Sequence, residues 1–135
     1  MENLIKGQKV LIVQDMMRNL KTEWLMYLDT DVAIVREDVS FKKLIRLAHK
    51  DVPEGEDCFF IAQEGGCNFN SGFWLLKNDE RARKFADQWQ EVYRFGYNRF
   101  VGDQGCMMET TLRWANESYD HHCMDTPDWS VTAIT

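Results

Sequence analysis

Trp24-Leu25-Met26-Tyr27-Leu28-Asp29-Thr30-Asp31 sets five apolar or aromatic residues directly before a pair of carboxylates. An apolar run with no polar alternation is the pattern of a central strand buried on both faces. In open α/β sheets, ligands bind beyond the carboxyl ends of strands. Residues i and i+2 of an extended chain share a face, so Asp29 and Asp31 are placed to grip one hard cation through oxygen. A plain turn would also accept both aspartates. Charges immediately behind an apolar run nevertheless need a partner.

The chain on either side of this stretch supplies the layers. Upstream, Leu4, Val10, Val13, Met17 and Leu20 follow roughly helical spacing, although Val10–Val13 also fits a short strand. Downstream, apolar character resumes at Val32–Val35. Ser40 is placed to cap a helix to about Lys50, with Phe41, Leu44, Ile45 and Leu47 inward. Asp51–Asp57, with Pro53 and Gly55, reads as a loop. Cys58–Ala62 reads as a strand that Gly65-Gly66 breaks, and Phe73–Leu76 as another.

Asn78 or Asp79 caps the clearest helix, whose inward positions are Ala82, Phe85, Ala86, Trp89, Val92 and Tyr93. Gly96–Gly102 reads as a loop. Asp103 opens a second helix to about Ala115, with Met107, Met108, Leu112 and Ala115 inward, and the last twenty residues show no period. Strands alternating with helices predict a layered α/β fold. No linker or repeat divides residues 1–135, so the chain reads as a single unit.

Composition narrows the function. The 135 residues are 44% hydrophobic, 13% aromatic and 28% charged, a globular profile with room for a core. The net charge is −6 and no basic stripe is present, which argues against a nucleic-acid partner. The longest apolar runs are too short to cross a bilayer, and the N-terminal residues lack the pattern of a secretory signal. Four cysteines, at 58, 67, 106 and 123, have no CxxC spacing. They read as free thiols in a reducing compartment or as two disulfides in a secretory lumen. Asn116-Glu117-Ser118 fits a glycosylation sequon.

Two further blocks carry polar chemistry. In Phe69-Asn70-Ser71-Gly72-Phe73-Trp74-Leu75-Leu76-Lys77-Asn78, Asn70 both donates and accepts, Ser71 adds a hydroxyl and Gly72 lets a ligand approach the backbone. The same residues also read as a simple turn into a strand. Gly102-Asp103-Gln104 precedes a helix, where Asp103 serves equally as an N-cap. Trp24 and Trp89 lie on apolar stretches and belong to the core. Cys106 has no base nearby in sequence to activate it.

In order and spacing, WLMYLDTDVAIV, FNSGFWLLKN with its following Trp89 helix, and GDQG resemble the succession in GT-A-fold glycosyltransferases, over about residues 24–115. The likeness is to the retaining branches related to families 8, 34 and 77. It implies a partial GT-A-like three-layer α/β sandwich. It also implies that Asp29 and Asp31 bind Mn²⁺ or Mg²⁺ and, through it, the diphosphate of a UDP- or GDP-sugar. Asn70, Ser71 and Gly72 would line the sugar and acceptor side. Asp103 and Gln104 would meet the donor-sugar hydroxyls or the face of the anomeric carbon, as the catalytic pair. The acceptor class (glycan, protein or lipid) stays open, and so does the compartment: cytoplasm, or Golgi lumen for a piece of a larger enzyme.

Two departures from the family pattern shape these expectations. The nucleotide-binding βαβ half that normally precedes the DxD strand is missing, so the chain is expected to be a fragment or a shortened descendant. A dimer or a missing-half partner would then complete it. The family's third metal ligand is a histidine near the C-terminus, and His121-His122 lies closer to Gln104 than that ligand should. Two rival readings remain. One is a haloacid-dehalogenase-like phosphatase, with Asp29 as nucleophile and Asp31 as acid/base; its later acidic pair is missing here, with Met107 standing where a carboxylate is expected. The other is a non-catalytic binding domain.

Overall fold

The computed structural model of the chain describes residues 2–35, 37–65, 68–100, 102–115 and 129–134. Its sheet is built on β3 (Asn68–Lys77), the longest strand. β1 (Trp24–Leu28) pairs antiparallel with one edge of β3 and β2 (Phe60–Gly65) with the other. β4 (Trp129–Ile134) pairs antiparallel with the far edge of β2, giving the order β1-β3-β2-β4.

Side-chain alternation divides the interior into two layers. Leu25 and Tyr27 of β1, Trp74 and Leu76 of β3, and Phe60 and Ala62 of β2 face one core. Three helices cover it: α1 (Glu2–Asn19), α3 (Glu80–Phe100) and α4 (Gly102–Trp114). Trp24, Phe73, Leu75 and Ile61 face the opposite way, against Ala48, Ile45 and Val52 in and after α2 (Phe41–Ala48). The fold is therefore mixed α/β, with helices on both faces of an antiparallel sheet. Among the described residues, no helix is long and apolar enough to cross a membrane.

Local signals decide several boundaries. The Ser40 hydroxyl accepts from the Lys43 amide at 3.3 Å and caps α2. Of the two candidates before α3, Asp79 provides the cap: its carboxylate accepts from the Ala82 amide at 3.0 Å. Gly102, at φ +84, stands between α3 and α4 in the left-handed conformation that glycine adopts without steric penalty. α4 then packs back along α3, with Cys106 beside Val92 and Trp114 in contact with Phe85.

Three expectations are corrected. β1 is an edge strand, not a central one, with only Leu25 fully buried and Met26 37% exposed. An apolar run reports contact on both faces but does not say whether a neighbour pairs along each edge. Helix α3 continues through Gly96 to Phe100 where a loop was expected; a glycine inside a helix costs only about 1 kcal/mol and does not by itself end one. The aperiodic C-terminal stretch contains β4, a strand joined to the sheet by its backbone pairing with β2.

Candidate functional site

The site is assembled where β1 ends. The last paired residue is Leu28, opposite Phe73, and the Asp29 amide then donates to the Gly72 carbonyl at 2.8 Å. This bond continues the β1–β3 register by one residue; on the other edge of β3 the β2–β3 register jumps, with Ala62 facing Trp74 and Gln63 facing Asn70. Such an irregularity bends a strand and re-aims its groups. Ser71 and Gly72 are thus part of β3, and the expected Asn-Ser-Gly turn is an irregular stretch of strand. Ser71 is buried. Asn70 lies in β3 next to this stretch, and its side chain is outside the described residues.

Lys9 brings the separate blocks together. Val10, Val13 and Met17 of α1 are buried against the sheet and helices, which sets the rotation of the helix. Lys9, next to Val10, then reaches the carboxyl end of β1. Its Nζ lies 2.7 Å from Asp103 Oδ2 and 3.5 Å from Asp29 Oδ1. It also donates to the Ser71 carbonyl at 3.4 Å and stands 4.4 Å from the centroid of the Tyr27 ring. Asp103 occupies the first turn of α4, so β1, β3, α1 and α4 all contribute to one cluster.

The electrostatics follow from burial and pairing. Burial by itself would lower the pKa of the Lys9 ammonium, but the Asp103 hydrogen bond and charge, with Tyr27 and Asp29, outweigh it and hold it above 10.5. The Tyr27 hydroxyl donates to Asp29 Oδ1 at 2.5 Å. Burial, then this hydrogen bond, raise the phenol's pKa, so Tyr27 stays a donor at neutral pH.

A cavity of about 470 Å³ opens beside the cluster. Lys9, Asp29 and Asp103 form its polar end, and Ile12, Met16, Leu25 and Trp74 belong to its apolar wall. Trp74 stacks on Tyr27 with ring centroids 5.1 Å apart, and its buried indole N–H has no acceptor among the described residues.

The sequence-derived residues are therefore divided. Asp29, Ser71, Gly72 and Asp103 meet. Asp31 does not join them: a turn begins at Asp29, closed by the Val32 amide donating to the Asp29 carbonyl at 3.1 Å. Alternation of faces holds only while the backbone is extended, and Asp31 stands exposed beyond that point. Gln104 is half-buried in the first turn of α4 next to Asp103. His121, His122, Cys67, Cys123 and the sequon at residues 116–118 lie outside the described residues. Cys58 and Cys106 are buried free thiols. Burial pushes the Cys106 thiol up to about 11, which keeps it protonated and unreactive.

Lys9, Tyr27 and Trp74 are the members that the motifs did not single out as site residues. Tyr27 had a signal, since its i, i+2 relation to Asp29 puts both on one face. Lys9 had none, because nothing local ties a lysine in an N-terminal helix to residues 20 and 94 positions away.

An incoming cation would find oxygen donors of the hard type here. Asp29 Oδ1, Asp103 Oδ2 and the Ser71 carbonyl already surround one cation, the Lys9 ammonium. Among the described residues, no group of three or more His, Cys, Asp or Glu side chains is arranged to hold a metal. Comparison of the chain with protein-family models, with curated proteins and with solved structures gives no match.

Proposed function

We propose that this chain binds a nucleotide sugar, UDP- or GDP-linked, together with Mn²⁺ or Mg²⁺, as a GT-A-like glycosyltransferase or a remnant of one. One observation carries the reading. Asp29 and Asp103, far apart in sequence, line one cavity at the end of β1, and the carbonyls of Ser71 and Gly72 bond to Lys9 and to the Asp29 amide beside it. Asp29 and Asp103 would hold the cation, with Asp31 nearby in sequence on the following turn. The cation would offset the charge developing on the departing diphosphate.

The protein's own groups have separate tasks in this reading. Tyr27 fixes the Asp29 carboxylate by its hydrogen bond. The apolar wall, with Ile12, Met16 and Leu25, would take the apolar face of a base or sugar. Gln104 and Asp103 would meet the sugar hydroxyls, with the stretch around Ser71 on the acceptor side. The oxocarbenium-like transition state at the anomeric carbon is stabilised by nearby carboxylate and amide oxygens. Calorimetric titration with UDP-glucose, GDP-mannose and related donors, with and without MnCl₂, tests the reading. Metal-dependent binding that Asp29→Asn removes is the expected result; no donor binding under either condition defeats it.

A binding module without catalysis is the second reading, and a specific observation favours it. Among the described residues β1 pairs only with β3, and Ile12, Met16 and Met26 are exposed around the cavity at that side of the sheet. Open strand edges flanked by apolar side chains invite association. Sedimentation showing a concentration-dependent dimer, together with absent nucleotide-sugar binding, would favour this reading over the first.

A further inference from the structure

Strand β1 has one edge on β3 and another edge with no strand partner among the described residues. The hydrogen bonds just past its two ends fix which backbone groups face that open edge. The Asp29 amide donates to the Gly72 carbonyl and the Asn78 amide to the Glu23 carbonyl, both at 2.8 Å. Bonded positions alternate in an antiparallel ladder, so Glu23, Leu25, Tyr27 and Asp29 turn their N–H and C=O groups toward β3. Trp24, Met26 and Leu28 turn theirs the other way. A row of outward N–H and C=O groups is a template for one kind of occupant, another extended strand.

Apolar side chains frame the same edge. Ile12 is 54%, Met16 38% and Met26 37% exposed, and all three border the open cavity beside β1. Charge selects the occupant. Exposed Lys21 and exposed Asp31 lie equally far before and after Met26. A second β1 running antiparallel and centred on Met26 brings each Lys21 toward the other copy's Asp31, whereas a parallel one would set Asp31 beside Asp31. The antiparallel register also sets Trp24 against Leu28, and Met26 against Met26. Every outward N–H then meets an outward C=O.

We propose that this chain forms a two-fold dimer through the open edge of β1, with Met26 at the axis. Such an interface is isologous, the same surface used by both copies. The sheet runs on through the pair, β4-β2-β3-β1 followed by β1-β3-β2-β4. Both α1 helices fall on one face of it, where Ile12 and Met16 of the two copies close over the joined strands. The inference rests on the binding-module reading, through the same open edge, and names a second copy of this chain as the partner.

Sedimentation velocity over a range of concentrations tests it on the full chain, with circular dichroism to show that each variant is folded. The wild type is expected to move from the one-chain to the two-chain mass as concentration rises. Met26→Pro deletes an N–H that β3 does not use, and an edge strand tolerates proline where its N–H faces solvent. That variant should stay monomeric at concentrations where the wild type is dimeric. Ile12→Lys places a charge on the exposed face of α1, should have the same effect, and serves if the proline variant does not fold. Glu23 falls opposite Asp29 of the second copy, a like-charge pair that the symmetry repeats. Glu23→Lys should therefore tighten the dimer about tenfold. Phe95, 78% exposed on α3, lies outside the proposed interface, and Phe95→Lys should leave the dimer at its wild-type strength.

A wild type that is monomeric at every concentration overturns the proposal. So does a dimer that persists unchanged in Ile12→Lys or in folded Met26→Pro, a loss matched by Phe95→Lys, or a Glu23→Lys dimer no tighter than wild type. The donor titrations described above keep the two ideas apart. A dimer indifferent to Met26→Pro, with no donor binding, sinks this interface and leaves the binding module standing. A Met26-dependent dimer that binds a sugar nucleotide does the reverse.

Discussion

Two charged clusters mark opposite ends of the sheet, and they are built in opposite senses. At the carboxyl end of β1, one cation, Lys9, is held by two anions, Asp29 and Asp103. At the other end, one anion, Asp57, is held by several cations. Lys77 and Arg81 pair with its carboxylate, and His49 lies 3.6 Å away. Arg81 also donates to the Asp57 carbonyl at 2.6 Å and pairs with Asp79 at 2.9 Å, so the cluster ties the β2 approach to the start of α3.

Exposure separates the roles. The Asp57 side chain is 45% exposed, whereas the Lys9 side chain is 11% exposed and lies at the polar end of a cavity. Water screens the first cluster and makes it a clamp of modest strength. The Lys9 ammonium is largely desolvated, so removing it leaves two carboxylates without their cation, whereas removing Asp103 leaves it only the more distant Asp29. Similar ionic contacts thus form an exposed brace at one end of the molecule and the polar end of a cavity at the other.

The largest effect should come from the buried end. Asp103→Ala leaves Lys9 with only the more distant Asp29 carboxylate and should cost about 2 kcal/mol, below the usual range for a broken buried pair because that second anion remains. Urea denaturation monitored by tryptophan fluorescence reads it; a loss no greater than that of Asp57→Ala would erase the contrast. At the screened end, Asp57→Ala should cost about 1 kcal/mol or less.

The pH dependence should differ in the same way. The Lys9 pKa is raised, so its contribution is complete below its ordinary value of 10.5 and is lost as the pH rises through the higher folded value. The Lys77 hydrogen bond, against burial, leads the causes that hold the Asp57 carboxyl below 3.8; its contribution is complete above that value and is lost as the pH falls through the lower folded one. Stability profiles should therefore show Lys9→Met flattening the alkaline limb and Asp57→Asn flattening the acid limb. Exchange of the two effects would contradict the assignment. The smallest change should come from Asp31→Ala, within about 0.5 kcal/mol of wild type as for other exposed turn residues. A larger loss in the same urea experiment would place Asp31 in the cluster after all.

Much of the architecture was legible in residue order. The spacing of Ala82, Phe85, Ala86, Trp89 and Val92 marked the buried stripe of α3, and all five are 3% exposed or less. Ser40 and Asp79 announced helix starts because capping is a local bond over three residues. The WLMYL run named a strand correctly but gave it the wrong place in the sheet. Hydrophobicity is a property of one segment, whereas edge or centre is a property of its neighbours.

The site divides along the same line. Sequence by itself determined that acidic residues end an apolar strand and that Asp103 opens a helix, whereas the expected Asn-Ser-Gly turn lies within β3. Each follows from short-range chemistry, the burial preference of neighbouring residues and the bonds a backbone makes within a turn. Tertiary structure alone decided that Asp29 meets Asp103 while Asp31 does not. It also decided that Lys9 joins them, since that meeting depends on how α1 docks against the sheet and α4. Packing over long sequence separations sets those distances, and no local pattern encodes them.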